Sequence, residues 1–162
     1  MARTGNSISL TAEAKWSKTM TDEEFRKLLA RHLEAENAHR LADTLGTLTP
    51  DCVFEDVALG RRFDGHEGAA GYYRMWWDGF ETEVSPERLH FARGDVAVAE
   101  TTWRGVHVGP FLGVPATKRR IEIPVILVVT ARDGLMAGER LYWDRATLAG
   151  QLNADVRELR YS

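Results

Sequence analysis

The pattern of hydrophobic and polar positions divides the chain into an irregular start and one regular domain. Residues 1–20 are small and polar apart from Leu10 and Trp16, and they follow neither a helical nor a strand period. We expect them to form a flexible extension that docks onto the domain through Trp16. The domain itself is predicted to occupy residues 21–162.

Two helices are predicted at the start of this domain. The sequence TDEE makes Thr21 a helix N-cap with Glu24 three positions later, which is the pattern of a capping box. Apolar residues then recur at helical spacing as far as Leu33. Leu41 lies out of phase with that stripe, and Asn37 is of a type that caps helices well. We therefore predict a second helix immediately after Asn37.

The clearest helical pattern lies in residues 66–80, where aromatic and small apolar residues share one face and charged residues the other. We expect the aromatic face to pack against a sheet. If that sheet curls round the helix, Tyr72, Trp76 and Phe80 are predicted to line a substrate cavity. The apolar face consists of Ala69, Tyr72, Tyr73, Trp76, Trp77 and Phe80.

The remainder of the chain has the pattern of β-strands joined by short turns, followed by a short closing helix after Asp144. Pro124 within one strand predicts an edge position or a β-bulge, because proline cannot donate to the ladder. Three helices followed by an antiparallel sheet indicate an α+β fold. The predicted strands are residues 52–59, 88–92, 96–108, 119–131 and 135–143.

Composition mainly excludes functions. The 162 residues are 44% hydrophobic and 28% charged, with a formal net charge of −3. This balance gives no electrostatic reason to expect nucleic acid or an anionic membrane as partner. The single cysteine, Cys52, cannot form an internal disulfide, and no spacing is typical of a zinc site. Without a bilayer-spanning run or the apolar core of a signal peptide, we expect a cytoplasmic protein with no metal or cofactor.

Three stretches resemble the SnoaL-like branch of the nuclear-transport-factor-2 superfamily, which includes polyketide ester cyclases and is related to ketosteroid isomerases. They are ENAHRLADTLGTLTPDCVFED, GVHVGPFLGVPATKRRIEIPV and DGLMAGERLYWDRATLAGQL. The resemblance covers about residues 21–152. It implies a cone-shaped α+β roll with a deep apolar pocket, often dimeric through the outer face of the sheet. The same scaffold serves many reactions and also non-catalytic binders, so function must be argued from particular side chains.

The resemblance implies that Asp144, at the end of the last strand, is a general base that removes a proton from carbon to form an enolate. That role requires a carboxylate whose pKa is raised by burial among apolar groups. Tyr142 and Trp143 are the neighbours that we expect to supply such surroundings. The pattern also fits Asp144 as the N-cap of the helix that follows.

Asp56 is the second candidate, because CVFEDVALG resembles the strand of ketosteroid isomerases whose aspartate shuttles the proton. Those isomerases also use a tyrosine and a neutral carboxylic acid as an oxyanion hole. The corresponding positions fall near His32 and Val125 here, which weakens the isomerase interpretation. Asp56 is then either a second polar group in the cavity or the cap of a turn.

His107 is the third candidate. Alternation along its strand places Trp103, Gly105 and His107 on one face, where an imidazole in an apolar pocket can donate to a developing enolate or hold a substrate oxygen. The structural alternative is a hydrogen-bonded histidine at a strand end.

The resulting hypothesis is an acid–base enzyme acting on an apolar, polyketide-like carbonyl compound, as a cyclase or isomerase. Asp144 abstracts the proton, while His107 and Tyr142 bind the enolate oxygen. The alternative is a non-catalytic module of the same fold that binds a small molecule or dimerises. We expect a small apolar ligand and a homodimer, with no nucleic acid or membrane as partner. The predicted substrate-binding residues are Tyr72, Trp76, Phe80, Trp103 and Tyr142.

Overall fold

The computed structural model describes residues 20–93 and 95–161. The predicted N-terminal extension, apart from Met20, lies outside these residues. No helix in the described part of the chain is both long and apolar enough to cross a membrane. The elements are α1 (Asp22–Asn37), α2 (Leu41–Leu45), β1 (Leu48–Asp56), β2 (Arg61–Asp64), α3 (Gly65–Gly79), β3 (Phe80–Arg93), β4 (Val96–His107), β5 (Arg120–Arg132), β6 (Leu135–Trp143) and α4 (Arg145–Leu152).

The strands form one curved, open sheet in the order β2-β1-β6-β5-β4-β3. Most neighbours are antiparallel, but β1 runs parallel to β6, with Phe54 opposite Glu139. The prediction of a wholly antiparallel sheet is therefore wrong at this pair, which joins sequence-distant strands across a long crossover. The predicted α+β class, with helices packed in a curved sheet and a short closing helix, is confirmed.

Helix α1 begins as predicted, but the role of Asn37 at its end differs from the prediction. The capping box of Thr21 and Glu24 is confirmed, with both reciprocal hydrogen bonds present. Asn37, however, is the last residue of α1 and not the cap of α2. Its side chain accepts from the Val84 amide at 2.8 Å and donates to the Val84 carbonyl at 3.0 Å. This long-range pairing ties the helix to β3, which no local sequence rule predicts.

Helix α3 places its aromatic face in the interior of the sheet, as predicted. The Trp76 ring packs edge-on against Trp103 at 4.5 Å and against Trp143 at 5.5 Å between ring centroids. Those partners lie on β4 and β6, so one helical residue joins two strands of the curved sheet. Burying large aromatic rings in this way contributes about 1.5–3 kcal/mol per side chain. The aromatic face is therefore the centre of the core.

Pro124 lies in β5, an interior strand, and its pairing with Thr102 on β4 shows no bulge. The prediction of an edge position or a bulge is wrong. Pairing between β5 and β6 begins only at Val125, opposite Trp143. Because β6 has ended at this level, the missing amide hydrogen of Pro124 leaves no bond of that ladder unmade.

Candidate acid–base site

Asp144 lies on the surface. Alternation along β6 buries Leu141 and Trp143, so the next residue faces solvent. Its carboxylate accepts from the amides of Ala146 at 2.9 Å and Thr147 at 3.2 Å, as the N-cap of α4. The Thr147 hydroxyl and these amides lower the pKa of Asp144. The cap interpretation is confirmed, and the expectation of an acid buried in an apolar pocket is wrong for this residue.

Asp56 is buried, with 1% of its surface exposed. Its carboxylate accepts from the Leu59 amide at 2.9 Å, the Tyr72 hydroxyl at 3.1 Å, and the indole N–H of Trp143 at 3.1 and 3.0 Å. Burial raises the pKa of Asp56, and the Trp143, Leu59 and Tyr72 donors oppose that rise. Asp56 therefore caps the turn after β1, as one of the two sequence interpretations predicts, and ties that turn to α3 and β6.

His107 is completely buried at the end of β4. Its ring stacks on Phe80 at 4.8 Å, and Nδ1 accepts from the Thr117 amide at 3.2 Å. Burial lowers the pKa of His107. These contacts anchor the long connection after β4, and no hydrogen bond joins His107 to Asp56. The structure therefore gives His107 the surroundings of a structural residue at a strand end.

The predicted substrate-binding aromatics lie in two different environments. The side chain of Tyr142 is 40% exposed on the outer face of the sheet, so it is separated from the interior. The other four are at most 5% exposed and belong to the core. They fill the interior of the cone and do not line the cavity described next. These four residues are Tyr72, Trp76, Phe80 and Trp103.

A cavity of about 320 Å³ lies between α1 and the inner face of β3, β4, β5 and β6. Its wall is aliphatic apart from the polar and charged residues Arg26, His32, Glu36, Arg88, Thr101 and Glu139. A volume at the lower end of the range of small-molecule pockets, with few polar groups, is typical of a ligand site. The apolar lining consists of Leu29, Ala30, Leu33, Val84, Pro86, Leu89, Ala99, Leu127 and Val129.

The two carboxyl groups of this cavity, Glu36 and Glu139, are the acids with the strongest functional signal. Glu36 ends the inner face of α1, and its side chain is 19% exposed. Burial raises the pKa of Glu36 from 4.5 to about 7. Burial also raises the pKa of Glu139 to about 8, with a further contribution from the charge of Glu36. We name these two residues the acid pair.

A neutral network borders the acid pair. His32, 4% exposed, lies with Nδ1 2.6 Å from the Thr47 hydroxyl and Nε2 3.1 Å from the Tyr73 hydroxyl. The Glu36 carboxyl oxygen is 3.6 Å from the same Nε2. Burial lowers the pKa of His32 from 6.5 to about 4, so the imidazole is uncharged at neutral pH. The acid pair is thus bordered by an uncharged ring and by no cation from this network.

The acid pair can act chemically as an acid and a base together. With pKa values of about 7 and about 8, the pair carries about one proton between these pH values and presents one carboxylate and one carboxylic acid. Two titratable groups whose environments push their pKa values towards the working pH are the usual basis of acid–base catalysis. Among the described residues, no group of three or more His, Cys, Asp or Glu side chains could hold a metal ion.

Sequence reasoning missed the acid pair, although signals for it were present. Leu29, Leu33 and Glu36 follow one helical face, so an acid terminates the apolar stripe of α1. Glu139 alternates with Leu141 and therefore shares the inner face of β6. The predicted helix break at Asn37 placed Glu36 beside a loop, and the choice of Asp144 as the acid of β6 left Glu139 out of the candidate site.

The fold and the cavity can be compared with known proteins. TsrD from Streptomyces laurentii is 29% identical, with a TM-score of 0.73, over 84% of this chain and 99% of that one. A protein from Jannaschia sp. CCS1 named as a SnoaL-like polyketide cyclase is 22% identical, with a TM-score of 0.75 over 88% and 99%. A protein with a ketosteroid isomerase-like fold from Catenulispora acidiphila DSM 44928 is 14% identical, with a TM-score of 0.70 over 81% and 95%.

These likenesses establish the fold, and the sequence itself establishes the family. No curated protein matches the sequence. The family model of the SnoaL-like polyketide cyclases matches residues 26–152, which include both members of the acid pair and every strand. The chain therefore belongs to the SnoaL-like polyketide cyclase family.

Proposed function

We propose that the protein is an acid–base enzyme that converts a small, mainly apolar carbonyl compound through an enol or enolate. The acid pair carries the chemistry, and the aliphatic wall of the cavity holds the substrate. This assignment replaces Asp144 with Glu36 and Glu139 as the proton-transfer groups. Family membership supports a cyclase or isomerase reaction, and the cavity supports a ligand of modest size.

The single observation that carries the proposal is the placement of two carboxyl groups in one apolar cavity. An exposed glutamate is a weak base at neutral pH, because its pKa lies near 4.3. Removing water from the carboxylate raises its basicity and matches its pKa to the working pH. The charge of Glu36 raises the pKa of Glu139 further, which favours the state in which the pair holds one proton.

The reaction follows from that shared proton. The carboxylate of the acid pair takes a proton from the carbon next to the substrate carbonyl, while the carboxylic acid donates its proton to the carbonyl oxygen. The product of this step is the neutral enol, and the acid pair keeps one proton. Return of a proton at another carbon gives an isomer, whereas attack of the enol carbon on a second carbonyl of the same molecule closes a ring.

Solvent exchange at carbon tests the proposal without knowledge of the natural substrate. We would incubate the protein in deuterated buffer with 2-tetralone, an apolar ketone with acidic α-protons, and follow loss of the α-proton signal by NMR. Glu36→Gln and Glu139→Gln should each reduce the enzyme-dependent exchange rate by about 10²-fold or more, because general acid–base catalysis contributes on that scale.

Glu34→Gln is the matched control, because Glu34 lies on the same helix with a side chain that is 75% exposed. It should leave the exchange rate unchanged. Exchange that survives both acid-pair substitutions would contradict the proposal. Binding of the ketone to the cavity without any exchange would favour the alternative, a non-catalytic binding module.

A further inference from the structure

The hydrogen bonds around His32 determine which of its ring nitrogens carries the proton. Thr47 Oγ1 donates to the Thr44 carbonyl oxygen at 2.6 Å. A hydroxyl has one hydrogen, so Thr47 can only accept from His32 Nδ1, which lies 2.6 Å away. The neutral imidazole therefore carries its proton on Nδ1 and presents a lone pair at Nε2.

The lone pair at Nε2 fixes the direction of the next bond. Tyr73 must donate its hydroxyl proton to His32 Nε2, at 3.1 Å. Burial raises the pKa of Tyr73 well above 10, so this hydroxyl keeps its proton. Four residues from three parts of the chain thus form one directed chain of hydrogen bonds. In order from acceptor end to donor end they are Thr44, Thr47, His32 and Tyr73.

This direction has a consequence for Glu36, whose carboxyl oxygen is 3.6 Å from Nε2. A protonated Nε2 would donate towards Glu36 and stabilise its anion, whereas a lone pair at Nε2 cannot. The Tyr73 hydroxyl donates its only proton to His32, so it cannot donate to Glu36. Among the described residues, no donor contributes to the pKa of Glu36 or Glu139, which burial raises in both cases.

We propose, on the basis of the proposed function, that His32 is a positioning residue for the acid pair. Its fixed tautomer places an acceptor beside Glu36 and binds the Tyr73 proton, so that Glu36 receives no hydrogen bond from either residue. The titratable and charged groups of this network and of its cavity are Glu36 and Arg26 from α1, Tyr73 from α3, Arg88 from β3 and Glu139 from β6. The pKa values of Glu36 and Glu139 are raised by burial and are not lowered by either arginine, so within the network the tautomer of His32 decides whether a donor faces Glu36.

The tautomer of the unmodified protein is the first test, and it needs neither a substrate nor a variant. Multiple-bond nitrogen–proton correlation NMR on nitrogen-labelled protein at pH 7 distinguishes the two neutral tautomers and the imidazolium. We expect the neutral Nδ1–H form. The Nε2–H form or an imidazolium at pH 7 would overturn the proposal.

A threonine substitution tests the coupling to Glu36. In Thr47→Val the acceptor for Nδ1–H is lost, so the His32 proton should move to Nε2 and donate towards Glu36. We expect the tautomer to switch and the pKa of Glu36 to fall by about one unit or more, as judged from carbon NMR of its carboxyl group. Thr47→Ser keeps the hydroxyl and should retain the original tautomer and titration.

Thr101→Val is the matched control, since it removes a buried hydroxyl from the same cavity. That hydroxyl donates to the Val125 carbonyl at 3.1 Å and has no bond to His32. The control should change neither the tautomer nor the titration of Glu36. A folded Thr47→Val protein with an unchanged tautomer and an unchanged Glu36 titration would overturn the proposal. These readouts do not depend on turnover, so failure of ketone exchange would contradict the proposed function alone.

Discussion

The indole N–H of Trp143 donates to both carboxylate oxygens of Asp56, at 3.1 and 3.0 Å. This contact joins the end of β6 to the end of β1, two strands that run parallel in the sheet. The Tyr72 hydroxyl adds a donor from α3 at 3.1 Å. A buried carboxylate with these donors holds three elements together and is already satisfied, so we assign Asp56 to stability and not to proton transfer.

Tyr72→Phe should therefore destabilise the protein while leaving ketone exchange intact. The loss of one hydrogen bond to a buried carboxylate is expected to lower the free energy of unfolding by about 1.5–3 kcal/mol. Urea denaturation measures this difference. Tyr161→Phe is the control, because Tyr161 is 38% exposed, and it should stay within about 0.5 kcal/mol of the unmodified protein. Abolished exchange with unchanged stability would instead make the Asp56 network catalytic.

Asp144 differs from Asp56 because it is exposed and caps helix α4. Asp144→Ala should lower the free energy of unfolding, as measured by urea denaturation, through loss of the bonds to Ala146 and Thr147, with the exchange rate unchanged. The pKa of Asp144 is lowered in the folded protein, so its charge stabilises above the unfolded-state pKa and this contribution disappears as the pH falls. A large loss of exchange in Asp144→Ala would contradict the assignment.

The acid pair should make the protein less stable as the pH rises. Glu139 has a pKa of about 8 when folded and an ordinary value of 4.5, so the unfolded chain loses its proton first. The contribution of Glu139 to the free energy of unfolding is therefore fully present below about pH 4.5 and is lost as the pH rises towards 8. The loss is about 1.4 kcal/mol for each unit of pKa difference.

Glu139→Gln removes this titration, so its stability relative to the unmodified protein should rise between pH 5 and pH 8.5 by at least about 1.4 kcal/mol. Denaturant titrations at the two pH values give this difference directly. Comparing the two proteins at each pH cancels the contribution of His32. Its pKa is lowered to about 4, so the stability it brings is lost as the pH falls. Equal pH dependence in both proteins would refute the raised pKa.

Two glycines test the local backbone packing of β6 and α4. A Cβ at Gly138 would lie 2.1 Å from the Val53 carbonyl oxygen, where β6 passes closest to β1. Gly138→Ala should therefore destabilise by about 1–3 kcal/mol or more. A Cβ at Gly150, inside α4, would meet no atom within 4 Å, so Gly150→Ala should stabilise by about 0.5–1 kcal/mol. The melting temperatures of both variants measure these effects. Equal changes in melting temperature would contradict the described surroundings of the two glycines.

Local rules predicted most of the elements, because each depends on near neighbours in sequence. The capping box at Thr21, the aromatic face around Trp76 and the cap at Asp144 follow from spacing alone. Alternation along β6 also requires Tyr142 and Asp144 to lie on one face, opposite Leu141. What alternation cannot decide is which face is inner, since that depends on the parallel pairing with β1.

The acid pair was not predicted, because it also depends on contacts between parts of the chain that are distant in sequence. Glu36 and Glu139 are far apart in sequence, and their importance comes from meeting in one cavity. Their raised pKa values depend on desolvation and, for Glu139, also on the charge of Glu36, which are properties of the assembled fold. The position of Glu36 at the end of the α1 stripe and the alternation of Glu139 with Leu141 are visible in the sequence, but the meeting of the two acids is not.

The central claim, that Glu36 and Glu139 retain a proton at neutral pH, is tested most directly by carbon NMR titration of their carboxyl groups. With assignments confirmed by Glu36→Gln and Glu139→Gln, the two signals should titrate with pKa values of about 7 and about 8. Titration of both groups near the ordinary value of 4.5 would contradict the account and remove its acid–base chemistry.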